Sequence, residues 1–325
     1  MTRATMRAVV QEGYGSADVL HLREVAMPAI AANGVLVRVR AASVNAMDYH
    51  LVRAPLPMRA FMGLRAPKNP IRGVDVAGVV EAVGPAVSRF KPGDEVFGFA
   101  KGAFAEYAPT TEDRLLPKPQ RLSFEQAAAV PLAAITALQA LRDKAHVQPG
   151  QRVLIHGAGG GVGTFAVQLA KALGAHVTAV TGPRNMDVVR ALGPDQLIDY
   201  SREDVTLSAQ RWDVFFDNAA TRPLRNCVRV IEPQGSFVGV GAPKGGWMNI
   251  LTGMLGTLAL RPFVRPRVPM FLARSNATDL ATLVDLIEAG KISPVIDREY
   301  ALDEVPEAIR YTSAGLGRAK VVIRM

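Results

Sequence analysis

Cysteine is almost absent from this 325-residue chain, with Cys227 standing alone. No intrachain disulfide can form, and no cysteine-rich zinc site can be built. A lone thiol can serve as a nucleophile, but a small buried helix residue is the simpler reading. Long apolar runs are missing as well. The longest candidate, Trp247 to Leu260, is about 14 residues broken by glycines, short of the ~20 that a spanning helix needs. Met1 to Val10 lacks the apolar core of a secretory signal and runs straight into strand-like sequence. No membrane span and a cytoplasmic location are therefore expected. The five histidines (His21, His50, His146, His156 and His176) are scattered without metal-ligand spacing. No internal repeat and no low-complexity linker interrupts the chain.

Acidic residues are in deficit, 29 against 38 basic ones, for a net charge of +9 and a pI near 9.9. Such a balance favours an anionic partner. The densest basic cluster, Arg261, Arg265 and Arg267, is interrupted by prolines and accompanied by no nucleic-acid-binding motif. Nucleic acid is not expected as a partner. The length and the 49% hydrophobic content suit two domains better than one core.

The first part of the chain reads as β-rich. Gly34–Ala42 alternates apolar and polar residues, as a half-buried strand does. Asp75–Val83 and Glu95–Phe99 are further strands, separated by turns such as Pro92-Gly93-Asp94. The texture changes near Ser123, where Ser123 and Gln126 have capping-box spacing. Beyond it, short apolar runs (Val153–Ile155, Val177–Val180, Val214–Phe216, Phe237–Val240) alternate with helical stretches. That is the pattern of a doubly wound parallel sheet. A helix over Thr278–Ala289, a strand over Pro294–Leu302, a helix over Glu304–Ser313 and a strand over Ala319–Ile323 follow. The predicted fold class is α/β. Residues 1–125 with 275–325 form a β-rich domain, and 126–274 form an inserted Rossmann domain.

The most informative motif lies in the middle. Arg152-Val-Leu-Ile-His156 leads into Gly157-Ala-Gly-Gly-Gly-Val-Gly163 and then a helix over Thr164–Leu173. Val162, Phe165, Ala166, Leu169 and Leu173 fall on one face of that helix. One glycine serves the tight turn, one the close approach to a pyrophosphate, and one the packing of helix on strand. Free N–H groups at the helix start then hold phosphate. The spacing is G-x-x-G-x-x-G at Gly157, Gly160 and Gly163. Gly161 and Val162 complete the loop. A nicotinamide dinucleotide is the expected cofactor.

The second strand of this unit ends at Thr181-Gly182-Pro183-Arg184. An NAD site places Asp or Glu there to bind the ribose 2′-OH, and none stands there. Gly182 leaves room, and Arg184 offers a charge-assisted partner for a 2′-phosphate, so NADPH is favoured. A solvated helix cap is the plainer role for Arg184. Tyr200 ends the third strand on the adenine side, as a cofactor contact or as an ordinary strand-end tyrosine. Asn218, after Phe216-Asp217, and Gly241, between Val240 and Ala242, end later strands and are candidates to line the nicotinamide.

Several segments together resemble the zinc-independent quinone oxidoreductase branch of the medium-chain dehydrogenase/reductase superfamily. They are Ala41-Ala-Ser-Val-Asn45-Ala-Met-Asp48, Gly73-Val-Asp-Val-Ala-Gly78, Phe90-Lys-Pro-Gly-Asp-Glu-Val-Phe-Gly98, Ala127-Ala-Ala-Val-Pro131, the glycine loop and Pro294-Val-Ile-Asp-Arg-Glu-Tyr300. The resemblance spans nearly the whole chain. It implies a GroES-like catalytic domain beside the Rossmann domain, and a homodimer. Where zinc relatives carry metal ligands, this chain has Ser43, Val74, and Leu132 or Ala133, so no metal is expected.

Without a Lewis acid, an acceptor already activated by conjugation suits the site, such as a quinone or an α,β-unsaturated carbonyl. The resemblance implies that the acceptor site is lined by the segment after the first long strand. Asn45 is the candidate hydrogen-bond donor there, followed by Asp48, Tyr49 and His50. Turn bonding to backbone is an equal alternative for Asn45 and Asp48, and a surface role for His50. Thr136 is a candidate nicotinamide contact or a packing residue. Leu51–Asn69 and Trp247–Val268 read as borders of the substrate entrance, as a dimer surface or as a membrane-surface contact. Three other functions stay open: a metal-free alcohol dehydrogenase, a non-catalytic NADPH-binding protein, and an RNA-binding relative.

Overall fold

The strand Gly34–Val44 organises the first unit of the computed structural model, which describes residues 4–241, 247–269 and 271–325. Val35, Val37 and Val39 point inward and are buried, while Arg38 and Arg40 alternate outward. The strand runs on past Ala42 to Val44, which brings Ser43 into the sheet. It pairs antiparallel with Asp75–Val83, with Ser43 opposite Asp75. On its other side it pairs with Lys320–Arg324, with Val321 opposite Val44. The seven-stranded sheet is completed by Ile296–Ala301, Glu95–Phe99, Leu115–Pro117 and Tyr107–Thr111. A separate ribbon joins Thr5–Gln11 to Leu20–Ala26. Sequence patterning had not marked Leu20–Ala26, Tyr107–Thr111 or Leu115–Pro117, which carry few alternating apolar residues. The capping box at Ser123 forms in full, each partner's side chain bonding the other's backbone N–H.

Residues 1–132, 275–288 and 294–325 make this compact unit, and residues 133–274 with 289–293 make the second. The first boundary thus falls at Leu132, inside the helical stretch, where the texture change in the sequence put it at 125.

The second unit is a five-stranded, all-parallel sheet. Its order is Gln196–Asp199, His176–Thr181, Arg152–His156, Trp212–Asp217, Ile231–Gly239. The order reverses between Arg152–His156 and Trp212–Asp217, which opens a crevice at their carboxyl ends. The last strand begins earlier than expected and leaves out Val240, because Ile231 already pairs with Trp212 and a bulge absorbs the Pro233–Gly235 turn signal. The helix after the glycine loop starts at Gly161 rather than Thr164, and it is buried on every side from Gly163 to Ala170 rather than along one face. Cys227 is buried in this unit's core, and burial pushes its thiol up to about 12. None of the described helices is long and apolar enough to cross a membrane.

Candidate functional site

The glycine loop turns sharply out of the first parallel strand. Gly157 has φ of +83°, a left-handed conformation that a side chain would strain. A Cβ on Gly163 would lie 2.2 Å from the Gly157 carbonyl, so the helix approaches the strand more closely than any other residue allows. Gly160 caps the helix, with Thr164 N–H donating to its carbonyl at 2.9 Å. Gly161 and Val162 form its half-buried first turn, where N–H groups lack intrahelical acceptors. Gly159, which the motif spacing passes over, is as constrained as the others. Its Cβ would meet Asn185 Nδ2 at 2.4 Å and Thr181 Oγ1 at 2.7 Å. Asn185 Oδ1 is buried beside this cradle without a hydrogen-bond partner.

Asn218 closes the other side of the crevice. Its Nδ2 donates to the Gly157 carbonyl at 3.3 Å, and its backbone N–H to that of His156 at 2.9 Å. A Cβ on Gly241 would lie 2.2 Å from the Asn218 carbonyl. Ala242 lies outside the described residues. Beneath the crevice stands a buried pair that the sequence reading passed over. His156 Nδ1 lies 2.9 Å from Asp217 Oδ1, which also accepts from the N–H groups of Ala219 and Ala220. The signal was available, since both residues end adjacent strands in matching register.

At the end of the second strand Thr181 is buried, and Tyr200 lies directly over Gly182. A Cβ there would come within 2.7 Å of the Tyr200 hydroxyl. Arg184 is exposed two residues further on, with no carboxylate partner among the described residues. The nearest strand-end acid, Asp199, accepts from Ser201 N–H and Oγ, and these bonds hold its carboxyl below the usual range. Thr136 is half-buried on Pro131–Gln139, between buried Ile135 and Ala137.

In the first unit a buried polar network surrounds Asp75. Ser43 Oγ donates to Asp75 Oδ2 at 2.7 Å and Asn45 Nδ2 at 2.9 Å, while Leu132 N–H donates to Oδ1 at 3.1 Å. Lys320 Nζ donates to Asn45 Oδ1 at 2.8 Å and to the Val44 carbonyl at 3.2 Å, and lies 3.7 Å from Asp75. Three donors converging on Asp75 call for a carboxylate, and the acceptors around Lys320 call for an ammonium. Burial nonetheless pushes the Asp75 carboxyl up and the Lys320 ammonium down. Lys320 was missed in sequence, where it reads as the polar start of a terminal strand.

Asn45 begins the helix Ala46–Val52 and its backbone N–H donates to Asp48 Oδ2 at 2.8 Å, while Gly73 N–H reaches Asp48 Oδ1 at 3.2 Å. Asp48 is fully buried, and burial raises its carboxyl to about 6. The amide of Asn45 is thus engaged by Asp75 and Lys320, the backbone carbonyl of Ser43 lying 3.4 Å from Nδ2. Tyr49 and His50 are half-buried neighbours with ring centroids 5.4 Å apart, and the Arg53 guanidinium lies over Tyr49. Burial lowers the His50 imidazole. Of the positions where the resemblance would put zinc ligands, Ser43 spends its hydroxyl on Asp75, and Val74, Leu132 and Ala133 have side chains without a ligating atom. Among the described residues no three His, Cys, Asp or Glu side chains are grouped to hold a metal ion. The donor set does not fit a zinc site.

Residues 31–120 match the family of alcohol dehydrogenase GroES-like domains, and residues 192–323 the zinc-binding dehydrogenase family. The chain is similar to 2-methylene-furan-3-one reductase of Solanum lycopersicum, at 33% identity over 98% of this chain and 79% of the relative. It is 32% identical to the chloroplastic quinone-oxidoreductase QR1 of Triphysaria versicolor, over 99% of both. Among solved structures, the quinone oxidoreductase from Coxiella burnetii superposes with a TM-score of 0.86 at 29% identity, covering 99% of this chain and 100% of that one. With that coverage in sequence and structure, with one GroES-like unit, and with one Rossmann unit whose crevice suits a nicotinamide cofactor, the chain belongs to the quinone oxidoreductase branch of the medium-chain dehydrogenase/reductase oxidoreductases.

Proposed function

We propose that this protein is an NADPH-dependent reductase of quinones or α,β-unsaturated carbonyls that works without a metal ion. The observation that carries the reading is the network around Asp75. The region where the resemblance would place a metal is filled by an internally satisfied Ser43–Asp75–Asn45–Lys320 cluster. The 2-methylene-furan-3-one reductase and the NADPH-dependent alkenal/one oxidoreductase of Arabidopsis thaliana, at 33% and 32% identity, support the conjugated acceptor.

In this reading Gly157, Gly159, Gly160, Gly161, Val162 and Gly163 hold the pyrophosphate on backbone N–H groups and the helix start. Arg184 and the space at Gly182 receive the 2′-phosphate, with Thr181 and Tyr200 beside the adenosine. Asn218, Gly241 and Thr136 line the nicotinamide. When bound there, NADPH would supply a hydride to the β-carbon of an enone, or to a quinone, whose oxygen would take up the negative charge. A hydrogen-bond donor to that oxygen would be needed, and Tyr49 and His50 are the first unit's candidates for it. A proton from solvent or from His50 completes the two-electron reduction. Asn45 and Asp48 fix the turn that carries Tyr49 and His50, since their polar groups are committed internally. A cytoplasmic homodimer is the assembly that goes with this reading.

The test follows NADPH absorbance with chelator-treated protein against a benzoquinone, a naphthoquinone, an alkyl enone, an enal and a saturated ketone, with NADH in parallel. Turnover of conjugated acceptors with NADPH, indifferent to chelator, is expected. Activity confined to the saturated ketone, or abolished by chelation, would sink the proposal.

A further inference from the structure

The helix Trp247–Leu260 carries no charged residue, and its polar side chains are only Asn249, Thr252 and Thr257. A helix apolar nearly all round is ordinarily covered. Yet none of its described side chains is buried. Leu255 is 66% exposed and Leu258 56%, and Phe263 just beyond the helix is 85% exposed. The segment is anchored to the second unit from behind. Val264 and Val268 pack into that unit's core, and Arg267 pairs through its backbone with Gly235 and Phe237.

The charge carried by this stretch of chain has one sign. From Pro233 to Thr278 there is no Asp or Glu in 46 residues, although the chain has 29 acids in all. The same stretch carries Lys244, Arg261, Arg265, Arg267 and Arg274, and the last four are exposed. A second copy of the chain would bring identical cations against one another across a two-fold interface. An anionic cover has the opposite, complementary charge. At about 1.5 Å per residue the helix is roughly 21 Å long, too short to span a bilayer of about 30 Å but of ordinary length for lying along its surface.

We infer that the exposed side chains described between Thr252 and Arg274 form a docking face for an anionic phospholipid surface. Leu255, Leu258 and Phe263 enter the headgroup boundary, and Arg261 and Arg265 pair with lipid phosphate. The face gives the protein peripheral, salt-sensitive access to a membrane, the phase into which apolar acceptors partition.

The experiment sediments the purified full-length protein with vesicles of phosphatidylcholine alone, or of phosphatidylcholine with a third phosphatidylglycerol, at low and high salt. Binding to the anionic vesicles only, weakened by salt, is expected. Each arginine at an anionic surface is worth about fivefold in partitioning, so Arg261→Glu with Arg265→Glu should lower binding by more than about tenfold. Leu255→Asp with Phe263→Asp should do likewise, and Arg225→Glu with Arg229→Glu, the same charge change elsewhere on the second unit, should not. Circular dichroism of each variant reports folding, and sedimentation velocity reports its oligomeric state. Absence of anionic-vesicle binding by folded protein at low salt overturns the inference, as does equal loss in the Arg225/Arg229 control. It is also overturned if the leucine and phenylalanine changes split a dimer while vesicle binding persists. All these readouts are independent of turnover, so they stand apart from the proposed reductase activity.

Discussion

Lys320 Nζ and Asn45 Oδ1 are joined by a 2.8 Å hydrogen bond across 275 residues of sequence, with both side chains buried. The ammonium holds the end of one long strand against the start of the helix that carries Tyr49 and His50. Lys320→Met leaves the Asp75 carboxylate buried without its cation, a loss of about 3–5 kcal/mol in stability. If the network positions the acceptor side, turnover falls between about 10- and 100-fold. NADPH affinity, which the proposed reading assigns to the other unit, stays within error. Isothermal titration beside steady-state kinetics makes the comparison, and equal damage to both quantities would speak for general unfolding instead.

Arg184→Gln separates the two dinucleotides. A hydrogen bond to a charged group is worth about 1.5–3 kcal/mol, so the Kd for NADPH should rise roughly 10- to 100-fold while that for NADH is unchanged. Fluorescence titration of both cofactors checks this, and an unchanged NADPH affinity would return Arg184 to the solvated surface.

Gly163→Ala places a methyl 2.2 Å from the Gly157 carbonyl. The strand and helix must part, at a cost of about 1–3 kcal/mol, and the phosphate cradle opens with them. A lower melting temperature together with lost cofactor binding is expected. Gly93→Ala, at a turn with open space around it, should keep cofactor binding despite strain at its positive φ.

The raised carboxyl of Asp48 sets a pH dependence. Its folded value, about 6, lies above the ordinary carboxyl value of 3.8. The native state therefore binds the proton more tightly than the unfolded chain does. This contribution is fully present below the unfolded value and is lost as pH rises through about 6. The loss is on the order of 3 kcal/mol. Between pH 7 and pH 5 the Asp48 contribution raises stability, and Asp48→Asn should remove that component from denaturant midpoints measured across the range. Carboxyls held low by partners, such as Glu106 beside Arg7, act in the opposite sense, their contribution fading only at lower pH.

Cys227 should be inert. Its thiol is buried and pushed up to about 12, so native protein resists thiol reagents at pH 8 until denaturant is added. Rapid labelling of the native form, or loss of turnover in Cys227→Ala, would assign the residue a role it lacks in the structure.

Much of the second unit was legible because each of its signals is local. Strand, glycine turn and helix lie within about 20 consecutive residues, and short apolar runs such as Val153–Ile155 and Val177–Val180 mark buried parallel strands. The Asp75 cluster was only half legible. Asn45 and Asp48 stood out as polar residues at a strand end, but the partners of the Asn45 amide, Asp75 and Lys320, are brought in by antiparallel pairing, which leaves no mark of register in either segment. That pairing is also why Asn45, marked in sequence as a donor to substrate, has its amide committed within the protein. Leu20–Ala26 was passed over because its charged residues face solvent, and one ribbon partner is enough to order it.

The long reach from Val44 to Lys320, 276 residues along the chain, sets an order of events during synthesis. Residues 133–274 hold every strand of the parallel sheet and can assemble once they have left the ribosome. The first sheet has to wait for its partner Lys320–Arg324, with Gly34–Val44 left unpaired on that side. During that interval the dinucleotide itself can act as a folding ligand for the finished half. Ribosome-arrested chains stopped near residue 320 should then be protected from protease by NADPH over 133–274 while residues 1–132 stay sensitive.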